Sequence, residues 1–149
     1  MNLFDVIANT INHIHPLLTD FPAALLPVSV GLSLASQRWP NLRQSAWITL
    51  ILGTAGAILA FVSGDATAEA LSAPLQALVQ PHQILAILTT LTFLGLTIWR
   101  WQAQRKGKEV IGTLPYTVLS VVGLGLLIVT GMYGGSLVFE QGLGVSVLP

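Results

Sequence analysis

Three histidines, His13, His15 and His82, are the side chains in this sequence best suited to chemistry. His15 stands in a His-Pro pair with Pro16, and His82 follows Pro81. Proline favours the first turn of a helix, so both imidazoles are expected at helix starts. If those helices run the same way, the two rings share one depth. Neutral imidazole is a common ligand of haem iron, copper and zinc. One arrangement makes His15 and His82 the axial ligands of a b-type haem. A second, with His13 a weaker candidate, joins His13-x-His15 to His82, with Met132 or Asp20, around copper or zinc. In a third, the histidines are solvated at helix ends and hold no cofactor.

Asp20 lies about one turn beyond His15, between Thr19 and the pair Phe21-Pro22. A carboxylate near an apolar segment is costly and often functional. It could orient an imidazole through the ring N–H or pass a proton; otherwise it reaches a polar surface and caps the helix. Asp65 and Glu69 are spaced i, i+4, either as a solvated face or as an acidic patch, with Asp65 a second candidate to support an imidazole. The sequence has no cysteine, which excludes disulfides, iron–sulfur clusters and thiolate catalysis. It also lacks a Ser/His/Asp arrangement, a phosphate loop and a zinc-protease motif.

The surrounding elements follow from the scarcity of charge. Of 149 residues, six are basic and six acidic, and 53% are hydrophobic; the mean hydropathy is +0.76. Soluble domains carry about 25% charged residues, so this composition indicates an integral membrane protein in contact with the lipid bilayer. A net charge of zero leaves no broad basic face for nucleic acid. Charge-free stretches at 21–37, 44–64, 70–99 and 110–139 match the roughly 20 apolar residues a spanning helix needs. They predict one transmembrane domain over 1–149, with spans near 17–36, 45–64, 82–101 and 113–131.

All six basic residues fall between the first two spans or at or after the end of the third, at Arg38, Arg43, Arg100, Arg105, Lys106 and Lys108. The positive-inside rule assigns that side to the cytoplasm and both termini to the outside. Trp39, Trp47, Trp99 and Trp101 cluster at the same boundary, as an aromatic belt would. Leu3, Phe4, Ile7, Ile11 and Ile14 recur at helical spacing, predicting an N-terminal amphipathic helix on the outer surface. The segment 65–81 is expected to be a second surface element broken at Pro74. The glycine-rich stretch 134–149 is expected to be extended or turned. No internal repeat stands out.

Small and hydroxylated residues mark helix contacts in lipid. They form stripes at His15, Thr19, Pro22, Ser29, Ser33 and Ser36; Thr49, Gly53, Gly56, Ala57, Ala60 and Gly64; His82, Ala86, Thr89, Thr90, Phe93 and Thr97; and Tyr116, Ser120, Gly123, Thr130 and Gly134. The fold class is therefore all-α integral membrane, an up-down-up-down four-helix transmembrane bundle. In a square bundle with axes about 8–10 Å apart, His15 and His82 would face each other across a diagonal of roughly 11–14 Å.

The run His15-Pro16-Leu17-Leu18-Thr19-Asp20-Phe21-Pro22, the pair Gly64-Asp65, His82, and the tail Gly134-Gly135-Ser136-Leu137-Val138 with Gly142-Leu143-Gly144-Val145 carry a family signature. The sequence resembles the bacterial multi-pass membrane proteins classed as domain of unknown function 2231, over nearly its whole length. The resemblance implies a four-helix membrane protein with His15 and His82 as shared histidine positions. It also implies haem binding by some members, which accompany respiratory or photosynthetic electron-transfer systems. At Glu140-Gln141 this sequence departs from the Arg-His frequent in the family, which puts a second metal site in doubt.

Two functions emerge. One is a membrane b-type haem protein in electron transfer or redox sensing near the outer face, with His15 and His82 as ligands and Asp20 and Asp65 in support. The other is a cofactor-free accessory subunit of a larger respiratory or photosynthetic membrane complex. The expected location is a bacterial inner membrane or a thylakoid membrane. A transporter fits less well, because no span carries a mid-membrane charge or a paired broken-helix repeat.

Overall fold

The computed structural model describes residues 14–69 and 71–143. The expected N-terminal surface helix, His13 and the last residues of the tail lie outside them. Four helices follow in order: α1 (Ile14–Ala35), α2 (Arg43–Glu69), α3 (Ala73–Arg105) and α4 (Leu114–Phe139), with a short 3-10 turn at Pro40–Leu42 before α2. No strand occurs among the described residues. Each helix is long and apolar enough to cross a membrane. Even α1, with 22 residues, extends about 33 Å at the rise of an α-helix.

The helices run alternately up and down. α1 packs closely on α2, α2 on α3 and α3 on α4, while α4 closes back on α1 more loosely. Leu26, Leu50, Phe93, Leu96 and Tyr116 form the main core. Leu17, Phe21, Leu52, Leu59, Val62, Leu91 and Ile128 point outward, as they would toward lipid. The predicted stripes face inward: every member is buried or half-buried. Backbones approach closely there. A Cβ on Gly53 would stand 2.7 Å from Leu26 Cδ2, and one on Gly56 would stand 2.7 Å from Phe21 Cβ. Hydroxyls tie the interior, Thr54 to Thr97 at 2.9 Å and Thr89 to Thr130 at 3.0 Å.

Three helices run past their predicted ends, and two expectations are corrected. The segment 65–81 is not a separate surface element. α2 continues to Glu69, and α3 begins at Ala73 with Pro74 in its first turn. Proline removes an N–H that has no helical partner there anyway, so Pro74 starts a helix instead of breaking one. Pro81 lies inside α3. Likewise 134–139 is helical; α4 ends at Phe139, and the positive-φ Gly142 follows shortly after. The three extensions hold one another in place, because Ala68, Val79 and Leu137 bury together in a second apolar cluster.

The turn from α3 to α4 is set by Gly107, whose φ of 65° suits a residue without a Cβ. Lys108 N–H donates to Ala103 O and Gly107 N–H to Gln104 O, the paired bonds of a Schellman helix end.

Candidate functional site

His15 lies at the start of α1, but His82, expected at a helix start, lies in the third turn of α3, because that helix already begins at Ala73 and runs through Pro81. α1 and α3 are parallel, so both rings sit at one end of the bundle, opposite the tryptophans and arginines. His15 Nδ1 is 2.9 Å from Ala60 O and 3.1 Å from Ser63 Oγ on α2. His82 Nδ1 is 3.1 Å from Thr130 O on α4. A carbonyl oxygen only accepts, so Nδ1 carries the proton in both rings and donates it. Nε2 is left as the nitrogen free to ligate, the division of labour usual in metal-bound histidine.

Each ring also fills a notch made by a glycine. A Cβ on Gly64 would stand 2.6 Å from His15 Cε1, and one on Gly134 would stand 3.1 Å from His82 Cε1. The correspondence goes further. Each histidine donates to the carbonyl four residues before its glycine. Eleven residues beyond each histidine, Leu26 covers Gly53 and Phe93 covers Gly123. The hairpin α1–α2 is thus repeated in α3–α4, with His15 and His82 as equivalents.

The remaining candidates are placed differently. Asp65 accepts from Gln83 Nε2 at 3.3 Å, so it joins the two hairpins beside the histidines; among the described residues it bonds no imidazole. Asp20 is exposed, and among the described residues no hydrogen bond joins it to His15 or His82. Met132 is exposed on α4. Among the described residues, no group of three His, Asp or Glu side chains is arranged to hold a metal ion; His13, which the copper or zinc alternative needs, lies outside them. Ser63 and Gln83 are partners that sequence reasoning missed; their signal is their position next to Gly64 and His82.

A second polar cluster, also missed, occupies the other end. Arg100 is 1% exposed. Its Nη2 donates to Arg43 O at 2.7 Å, and its guanidinium lies 5.2 Å from the centre of the Trp47 ring. Glu109 Oε2 is 3.9 Å from Arg43 Nε. Glu109 Oε1 accepts from the N–H groups of Val110 and Ile111.

The family described as "Predicted membrane protein (DUF2231)" matches residues 12–147, which covers all four helices and both histidines of the site. The chain belongs to this family. The family description adds membrane residence to the fold and assigns no activity. Among curated proteins and solved structures, no match is found.

Proposed function

We propose that this member of the family binds one b-type haem at the histidine end, with His15 and His82 as axial ligands, and takes part in electron transfer or redox sensing. The observation carrying this reading is the matched pair of imidazoles. They occupy equivalent places in two hairpins, and each holds Nδ1–H on a backbone carbonyl. That donor set would suit a single iron, with both histidines at the same end of the bundle. A bound haem would supply one-electron chemistry. The chain's own part is to fix the tautomer and orientation of each ring through Ala60 and Thr130, and to restrict the rings through Gly64 and Gly134. Asp65, bonded to Gln83, would steady α3 next to His82.

By the positive-inside rule, the basic end faces the cytoplasm and the histidine end the outside of a bacterial inner membrane or a thylakoid membrane. The second reading, a cofactor-free accessory subunit of a larger complex, draws on the same contacts. A ring held on a carbonyl and pressed into a glycine notch also fastens two helices with no cofactor.

A reduced-minus-oxidised absorption spectrum of the detergent-purified protein separates the two. The haem reading expects Soret and α-band changes that are lost in His82→Ala and in His15→Ala. A featureless spectrum after expression with ample haem would remove that reading. Consistent co-purification with partner subunits would then favour the accessory one.

A further inference from the structure

We propose that the basic end of the bundle carries an anion site built from Arg43 and Arg100, and that its ligand is a phosphate group, supplied by an acidic phospholipid. The proposal does not depend on haem.

Arg100 is buried within the bundle, yet among the described residues Nε and Nη1 have no hydrogen-bond partner, and the buried Nε of Arg43 has none either. Buried guanidinium N–H groups are normally matched by acceptors, because desolvation without a partner is costly. Among the described residues, the carboxylate near these guanidiniums is Glu109. Glu109 commits Oε1 to two backbone N–H groups, and its Oε2 lies beyond hydrogen-bond distance of Arg43 Nε. Two guanidiniums against one carboxylate leave an excess positive charge.

The hairpin repeat shows that packing alone does not require these cations. Counted from the two histidines, the equivalent of Arg100 is Ser33; counted from the two glycines, the equivalent of Arg43 is Thr113. The first hairpin closes at that level with a buried serine, so arginine at 100 is an addition to the fold.

The surroundings indicate which anion. Trp101 and Arg105 stack with 5.0 Å between guanidinium and ring centre, and Arg38, Lys106 and Lys108 follow on the same side. Tryptophan and basic residues gather where lipid headgroups begin, and basic pockets between helices at that level bind acidic headgroups. Guanidinium offers several N–H donors in one plane, a pattern suited to phosphate oxygens.

The test uses the full-length protein, delipidated in neutral detergent, with thermal unfolding read during titration with phosphatidylglycerol micelles, phosphatidylcholine micelles or inorganic phosphate. Phosphatidylglycerol should raise the midpoint, phosphatidylcholine should do so less, and inorganic phosphate should have little effect. In Arg100→Gln the apparent affinity for phosphatidylglycerol should fall about fivefold to tenfold. If Arg100→Gln does not fold, Arg43→Gln decides, since Arg43 is part-exposed and easier to replace. A full response to inorganic phosphate would keep the site and overturn the lipid as its source. No response to any of the three, or an undiminished response in Arg43→Gln, would overturn the site itself.

Discussion

The His15 ring lies against Gly64 so closely that a Cβ there would stand 2.6 Å from Cε1. The ring cannot simply swing aside, because Nδ1 is tied to Ala60 O. The glycine and the hydrogen bond therefore act together, and the same device recurs at Gly134, His82 and Thr130.

Glycine substitutions should separate into classes. Gly56→Ala should be most damaging, since its Cβ would meet Phe21 Cβ at 2.7 Å and Pro22 Cδ at 3.1 Å, neither of which can rotate away. A cost of about 1–3 kcal/mol is expected for such overpacking. Gly64→Ala should cost less in stability and displace the His15 ring. Gly125→Ala, with nothing within 4 Å, should be neutral or slightly stabilising. Unfolding midpoints in one detergent would rank them, and equal losses at 56 and 125 would contradict the packing described.

The absorption spectrum also distinguishes the carboxylates. Asp65→Asn should leave any haem bands in place, because Asp65 meets Gln83 and not an imidazole. Asp20→Asn should do the same, since Asp20 is exposed. Band shifts in either variant comparable with those of His15→Ala would show a direct role for that carboxylate at the ring.

The two threonine pairs should differ in strength. Thr97 donates its hydrogen to Phe93 O, which leaves Thr54 free to donate to Thr97. Two hydrogens then serve two contacts. Thr89 and Thr130 each also reach a carbonyl four residues back, Leu85 O and Leu126 O, so two hydrogens serve three contacts. Double-mutant cycles with valine should give a coupling near the ~0.6 kcal/mol average for membrane helices at Thr54–Thr97. A smaller value is expected at Thr89–Thr130, and the reverse order would refute this hydrogen assignment.

Glu109 should tolerate loss of charge better than loss of oxygen. Glu109→Gln keeps an acceptor for Val110 and Ile111 N–H and gives up only a long ion pair with Arg43, worth about 0–1 kcal/mol. Glu109→Ala leaves both N–H groups without that acceptor and should cost about 1–3 kcal/mol. Chemical or thermal unfolding of the two variants would reveal the gap.

The four-helix architecture was legible because lipid simplifies the code. Where apolar faces meet apolar solvent, only small and hydroxylated residues mark a contact, and Ser29, Gly53, Phe93 and Ser120 all turned inward. That His15 and His82 lie at the same end followed from the order of the spans, although His82 stands in the third turn of its helix and not at its start. Helix ends were harder. Pro74 and Pro81 look like breaks in a sequence, and only the burial of Val79 against Ala68 and Leu137 explains a helix through them. The hairpin repeat escaped notice because its matched positions differ in kind, leucine at 26 and phenylalanine at 93, and because the offset changes between the first and second helix of each hairpin. Arg100 read as an ordinary boundary cation; its burial depends on Trp47 and Arg43 from another helix.

The repeat gives the molecule a directional character. Exchange the hairpins and the two histidine fastenings trade places, His15 on Ala60 and Gly64 for His82 on Thr130 and Gly134, whereas at the basic end Arg100 takes the place of Ser33. A flat, symmetric guest at the first end would meet the same fastening on either side. At the second end a visitor finds one handed face, like a keyed plug beneath a socket that accepts either orientation.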